Sequence, residues 1–176
     1  MTQGYALVTG ASAGLGAEFA RQLAAKGSNL LLVARRGERL QTLAASLHQE
    51  FGVTVKTLVA DLAEPSAPLL IEQFCHDNTL QIDWLINNAG ITRDNLMMRM
   101  KDDEWNAVIH TNLSSVFRLS KACLRPMIKA RFGRIVNITS VVGCTGNAGQ
   151  VNYAAAKAGV IGMTKSLAQE IATRGV

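Results

Sequence analysis

Proline, cysteine and aromatic residues are all scarce in this chain of 176 residues, which has three prolines, three cysteines and 5% Phe, Trp and Tyr together. So few prolines, with no Ser/Pro-rich or single-residue tract, argue against linkers and disorder. Cys75, Cys123 and Cys144 are odd in number, widely spaced and without a C-x-x-C pair. They read as buried or half-buried thiols. His48, His76 and His110 are equally scattered, and neither an H-x-x-x-H pair nor a His/Cys cluster points to a metal. No window reaches about 18 uninterrupted apolar residues, so a membrane span is not expected. Met1-Thr2-Gln3 leads straight into Tyr5-Ala-Leu-Val8 without a basic leader or cleavage site, and the expected compartment is the cytoplasm. The basic residues (Arg35, Arg36, Arg93, Arg99, Lys129, Arg131, Arg134) are dispersed and not interleaved with aromatics, which argues against a nucleic-acid partner. The net charge of +5 is modest and suits an acidic partner or a phosphorylated ligand.

What the chain does have is apolar residues, 48% of the total, enough for one domain with a real core. Apolar, β-branched runs at Tyr5–Thr9, Asn29–Ala34, Val53–Ala60, Ile82–Asn87 and Arg134–Thr139 read as strands buried on both faces. Helical patterns lie between and after them, at about Leu15–Lys26, Glu38–Phe51, Pro68–Asp77, Asp102–Ala130 and Asn152–Arg174. Gly27, Gly52 and Gly133 stand just past helices, where glycine caps in the left-handed region. Pro126 should kink or end the fourth helix. This alternation predicts an α/β fold, a doubly wound parallel sheet with helices on both faces.

Gly10, Gly14 and Gly16, with Ser12 and Leu15 among them, fall where the first strand turns into the first helix. Such a turn aims unpaired N–H groups and the positive helix end at an anion, and predicts a pyrophosphate cradle. The spacing is G-x-x-x-G-x-G, so the general dinucleotide fingerprint G-x-G-x-x-G is only loosely matched. About twenty residues on, the second strand ends in Ala34-Arg35-Arg36, where an NAD site would offer a carboxylate. Two guanidiniums suit a ribose 2′-phosphate, which predicts NADP(H). Asp61, followed by Leu62, ends the third strand, placed either to accept from an adenine amino group or to cap a helix.

Tyr153 and Lys157 are one helical turn apart in Tyr-Ala-Ala-Ala-Lys, so a phenol and an ammonium share a face. Ser140 lies thirteen residues upstream, at a strand end. Tyr153 and Lys157 alone would suit an ordinary amphipathic helix; with Ser140 and a cofactor cradle present, the trio reads as catalytic, with the phenol as proton donor.

Taken in order, T-G-x-x-x-G-x-G at 9–16, Asn87-Asn88-Ala89-Gly90, Asn112, Ser140 and Tyr153-x-x-x-Lys157 resemble the short-chain dehydrogenase/reductase family over almost the whole chain. From about Asn87 onward the match is most like the bacterial 3-oxoacyl-[acyl-carrier-protein] reductase branch. The first eighty residues look closer to other NADP-dependent members, as a mosaic would. The resemblance implies a Rossmann-like domain over 1–176 that reduces a ketone with NADP(H). Its catalytic residues would be Asn112, Ser140, Tyr153 and Lys157. Asn88, Ala89, Gly90, Tyr153 and Lys157 would border the cofactor, with Asn112 holding a water that links Lys157 to solvent. Family members run on for roughly seventy residues more, so the expectation is a chain truncated before the sixth strand, lacking the substrate-binding part. The substrate stays open between a 3-oxoacyl thioester and a steroid, sugar or small alcohol, and a silent nucleotide-binding protein is the rival of another class. Arg131 and Arg174 match the positions that receive the acidic acyl carrier protein, or are solvated charges at helix ends. Helices 102–130 and 152–174 resemble the family's dimer-forming pair, implying a homodimer or homotetramer.

Overall fold

A computed structural model of the chain describes residues 4–176. Five strands, β1 (Tyr5–Thr9), β2 (Asn29–Ala34), β3 (Val55–Val59), β4 (Ile82–Asn87) and β5 (Arg134–Asn137), form one parallel sheet in the order β3-β2-β1-β4-β5. The helices are α1 (Gly14–Ala25), α2 (Gly37–Phe51), α3 (Ala67–Asp77), α4 (Asp102–Ile109), α5 (Ser115–Ala130), α6 (Val142–Thr145) and α7 (Val151–Ile171).

The strand side chains alternate between two cores, as a doubly wound sheet requires. Ala6, Val8, Leu30 and Leu32 pack with Ala20 and Ala24 of α1 and Leu40 and Leu47 of α2. On the opposite face Leu7, Leu31, Val33 and Leu85 pack with Ile71 of α3 and Leu119 and Met127 of α5. All eight strand residues are fully or nearly fully buried. Burial of one Leu or Val side chain contributes about 1.5–3 kcal/mol, which makes these strands the stiff floor of the molecule. The strand order reverses beside β1, between β2 and β4, and a crevice opens at the carboxyl ends of the strands there.

Three details differ from the sequence reading. The long helix expected over 102–130 is interrupted at His110–Ser114 by a π-type turn, and α5 runs through Pro126 to Ala130. Pro126 lies inside α5, which continues past it to Ala130, so it does not end the helix. Gly133 is not the left-handed cap of α5; Arg131 takes that conformation at φ 54°. Glycine is required at 133 for space, since a β-carbon there would lie 2.5 Å from Met127 Cγ. Gly27 and Gly52 do adopt positive φ, at 82° and 69°.

Candidate active site

The crevice is built first by Thr9, the last residue of β1. Its hydroxyl donates to the Ile86 carbonyl (3.2 Å) and accepts the N–H groups of Asn88 and Ala89 (3.0 Å each). The Asn88 amide donates back to the Thr9 carbonyl at 3.0 Å. The ends of β1 and β4 are thereby knotted side by side. A β-carbon on Gly10, which sits at φ 66°, would meet Ala89 Cα at 2.9 Å, and one on Gly16 would run into the Gly10 carbonyl. Gly14 faces open space but holds φ 55°. The turn is therefore packed tightly at Gly10 and Gly16 and open at Gly14.

The cleft above this turn has a volume of about 480 Å³ and is lined by Gly10, Ser12, Arg35, Arg36, Asp61 and Asn88, among others. Arg36 Nε and Nη2 donate to Ser12 Oγ at 3.2 and 3.1 Å. Arg35 Nη1 lies 3.8 Å from Asp61 Oδ2. Both guanidiniums are exposed and stand in the wall of the cleft, ready to meet an anion. Asp61 Oδ1 accepts the Ala63 N–H at 3.0 Å, a local turn rather than a helix cap, since α3 starts only at Ala67. Leu62 is buried beneath the rim. Leu15 is exposed at the start of α1 and does not line the cleft.

Behind Gly90, which lines the cleft, a second group gathers around Lys157, which is 4% exposed and does not itself line the cleft. Its Nζ donates to the Ile138 carbonyl at 2.7 Å, and its own carbonyl accepts from Thr139 Oγ1 at 3.0 Å. Gly143 of α6 touches the same turn of α7: a β-carbon there would lie 2.9 Å from the Lys157 carbonyl carbon. Ser140, between Thr139 and α6, is held by the Val142 N–H at its Oγ (3.2 Å). These contacts draw the Ser140 segment onto the Tyr153–Lys157 face of α7. Lys157 Nζ lies 5.7 Å from the centre of the Tyr153 ring. A β-carbon on Gly90 would sit 3.3 Å from Asn112 Oδ1 and 3.8 Å from Lys157 Nζ, so Gly90, Asn112 and Lys157 converge. Asn112, fully buried in the π-type turn, exchanges two 2.8 Å bonds with the backbone of Ile91. Its side chain is committed to that pairing.

Burial pushes the Lys157 ammonium below its ordinary pKa of 10.5. Between the lowered value and 10.5 the unfolded chain binds more protons than the folded one, so this group makes stability rise with pH across that window. Denaturant midpoints at pH 8 and pH 10 should therefore differ between the natural chain and Lys157→Met. The natural chain gains stability relative to the variant as pH rises, and a constant gap would contradict the burial argument.

Arg131 and Arg174 lie away from this cleft. Arg131 caps α5, and a β-carbon on Gly175 would press on the Arg131 carbonyl, so the two arginines belong to one exposed basic corner. A larger groove of about 750 Å³ between α3 and α5 holds neither the glycine turn nor Tyr153.

The sequence profile described as short chain dehydrogenase matches residues 4–176. The chain belongs to the short chain dehydrogenase family. Among its relatives, the 3-oxoacyl-[acyl-carrier-protein] reductase FabG of Escherichia coli (strain K12) is 52% identical over 171 residues, covering 97% of this chain and 68% of that protein. Nodulation protein G of Rhizobium sp. (strain N33) is 50% identical over 171 residues, again 97% of this chain and 68% of that protein. The likeness thus extends through the first eighty residues, and the expected restriction to residues from about 87 onward is corrected. Two solved structures superpose closely. A ketone-specific alcohol dehydrogenase from Comamonas testosteroni gives a TM-score of 0.92 at 33% identity, covering 99% of this chain and 70% of that one. A short-chain dehydrogenase from Sphingobium yanoikuyae in complex with NADPH gives 0.91 at 36%, covering 98% and 67%.

For this short chain dehydrogenase, sequence reasoning assigned no role to Thr9, Asn87 or Asn152. Asn87 Nδ2 donates to Asn137 Oδ1 (2.8 Å) and Ser120 Oγ (3.2 Å), and Asn137 Nδ2 donates to Thr164 Oγ1 (2.8 Å). This polar chain runs from α5 across β4 and β5 to α7. Polar residues at the ends of otherwise apolar strands were the signal that could have found it. Among the described residues no helix is long and apolar enough to cross a membrane.

Proposed function

We propose that this chain is an NADP(H)-dependent ketone reductase acting on 3-oxoacyl thioesters, as in fatty-acid synthesis. The carrying observation is the convergence of Lys157, the Tyr153 ring, Gly90 and the Ser140 segment beside a glycine-floored cleft. The cleft suits a dinucleotide phosphate, because Gly10 lines it at a positive φ of 66° and two guanidiniums stand in its wall. Gly10, Ser12, Gly14 and Gly16 would hold the pyrophosphate, Arg35 and Arg36 the 2′-phosphate, and Asp61 with Leu62 the adenine edge. Asn88, Ala89 and Gly90 would border the ribose. When bound, the reduced nicotinamide supplies a hydride to the substrate's carbonyl carbon.

The chain's residues do the rest. Ser140 Oγ donates a hydrogen bond to the carbonyl oxygen and holds it, and Tyr153 Oη gives that oxygen its proton, completing a secondary alcohol. Lys157 stabilises the phenolate left behind and bonds the ribose hydroxyls. Reprotonation of the phenol runs through Lys157 to solvent, past the Asn112 turn. The 52% identity to a 3-oxoacyl-[acyl-carrier-protein] reductase supports the choice of substrate. The basic corner of Arg131 and Arg174 supports an acidic carrier protein as the donor of the acyl chain. A homodimer through α5 and α7 is supported by the groove between them, lined by exposed Phe117 and half-buried Leu124, Met163 and Leu167.

The test is NADPH oxidation with an acetoacetyl thioester. Turnover supports the reductase; tight NADPH binding without turnover favours a silent nucleotide-binding protein. If neither NADPH nor NADH binds, the cradle argument fails. Coenzyme choice gives a second prediction. Arg36→Ala removes a charge-assisted contact of about 1.5–3 kcal/mol and should weaken NADPH binding roughly 10- to 100-fold. NADH affinity should stay unchanged. Equal losses for both coenzymes, measured by fluorescence titration, would remove Arg36 from the 2′-phosphate site.

A further inference from the structure

Asn152 stands directly before Tyr153, and its side chain is 0% exposed. Its Oδ1 accepts the Tyr153 backbone N–H at 2.7 Å. Its Nδ2 donates to the Arg93 carbonyl at 2.9 Å, with a longer approach of 3.4 Å to the Glu104 carbonyl. No side chain caps α7 from Gln150, so one of the helix's orphan N–H groups depends on Asn152. The carbonyls it reaches lie in the loop that follows Gly90 and in α4.

Other bonds tie down the same loop. The Asn95 N–H donates to the Gly149 carbonyl at 2.9 Å, and Gln150 Nε2 donates to Asp94 Oδ2 at 3.0 Å. Glu104 Oε2 accepts from Asn95 Nδ2 at 3.1 Å and from the Lys101 N–H at 2.8 Å. At its start the loop is pinned by the Asn112–Ile91 pair. Gln150 and Asp94 sit at the surface, where a bond is weak; the Asn152 bonds are enclosed, where an unmade bond costs about 1–3 kcal/mol.

We propose that Asn152 is a positioning residue for Tyr153. It fastens the phenol-bearing end of α7 to the loop leaving the cofactor-bordering strand end, so proton donor and cofactor edge move as one body. The proposal rests on the reading of Tyr153 as proton donor. A misplacement of about 1 Å at a reacting group can cost roughly 100-fold in rate. Removing the amide strands the Tyr153 N–H and the Arg93 carbonyl together.

The test uses the full chain with Asn152→Ala and Asn152→Asp. The aspartate retains an acceptor for the Tyr153 N–H but sets a carboxylate against the Arg93 and Glu104 carbonyls, separating the cap from the tether. By amide hydrogen exchange, both variants should exchange roughly tenfold faster over residues 91–96, with 9–16 unchanged and NADPH affinity within about threefold. With an acetoacetyl thioester, kcat should fall about 10- to 100-fold, with KM little changed and a larger solvent deuterium effect on kcat. Natural exchange over 91–96 in either variant overturns the tether. A loss of kcat that only tracks the unfolded fraction, with isotope effects unchanged, overturns the positioning role. If the natural chain binds NADPH but reduces nothing, the reductase reading fails by itself, and the exchange data still decide the tether.

Discussion

Tyr153→Phe should leave NADPH binding intact and reduce ketone turnover by about 10²- to 10⁴-fold, the range a positioned general acid supplies. The substitution removes one oxygen from a half-buried ring and changes little else. The ring lies beside Lys157 Nζ, 5.7 Å from its centroid, and that face is preserved in phenylalanine. Lys157 keeps its 2.7 Å bond to the Ile138 carbonyl whatever the ring carries. The denaturant midpoint should therefore move by less than about 1 kcal/mol, as for a surface-accessible hydroxyl. Equal turnover by the natural chain and Tyr153→Phe would mean that the proton comes from elsewhere. A matched loss of NADPH affinity would mean that Tyr153 serves binding rather than proton transfer.

The sheet was legible in the sequence because its strands are continuous apolar runs. Tyr5–Thr9, Asn29–Ala34 and Ile82–Asn87 appear with the expected bounds. Two strands ran shorter, at Val55–Val59 and Arg134–Asn137, and of the lost residues Ala60, Ile138 and Thr139 lie at the site end of the sheet. Ile138 keeps its N–H on the Asn87 carbonyl at 2.9 Å, while its own carbonyl and the Thr139 hydroxyl bond Lys157. The π-type turn at His110–Ser114 left no mark in the apolar periodicity, because Val108, Val116 and Leu119 are buried on either side of it. A buried Asn112 in mid-helix was the sign of an irregular turn, since a helix interior offers such an amide no ready partner. The cleft was legible from glycine spacing and the arginine pair. The knot at Thr9 and the tether at Asn152 were not, because each joins segments about eighty and sixty residues apart through one side chain.

Gly16→Ala should be the most damaging single-methyl change in the glycine turn, abolishing tight NADPH binding and destabilising the fold by about 1–3 kcal/mol through overpacking. Local propensity predicts the opposite, since alanine in a helix gains about 1 kcal/mol over glycine. Sterics decide the sign. The added β-carbon runs into the Gly10 carbonyl and lies 2.6 Å from Asn88 Nδ2. Neither neighbour is free to yield: Gly10 is wedged against Ala89, and the Asn88 amide is held by the Thr9 carbonyl at 3.0 Å. The strain therefore passes into the Thr9 knot, which sets the distance between the ends of β1 and β4. Gly162 supplies the contrast, because it lies in α7 with nothing within 4 Å of an added β-carbon. Gly162→Ala should raise stability by about 0.5–1 kcal/mol and leave NADPH binding alone. Gly14→Ala should fall between them, with open space but a φ of 55° that an L-residue holds at about 1–2 kcal/mol. Urea midpoints and NADPH titrations of the three variants give the order directly. Natural stability and coenzyme affinity in Gly16→Ala would show that the turn has slack, and the tight pyrophosphate cradle would have to be given up.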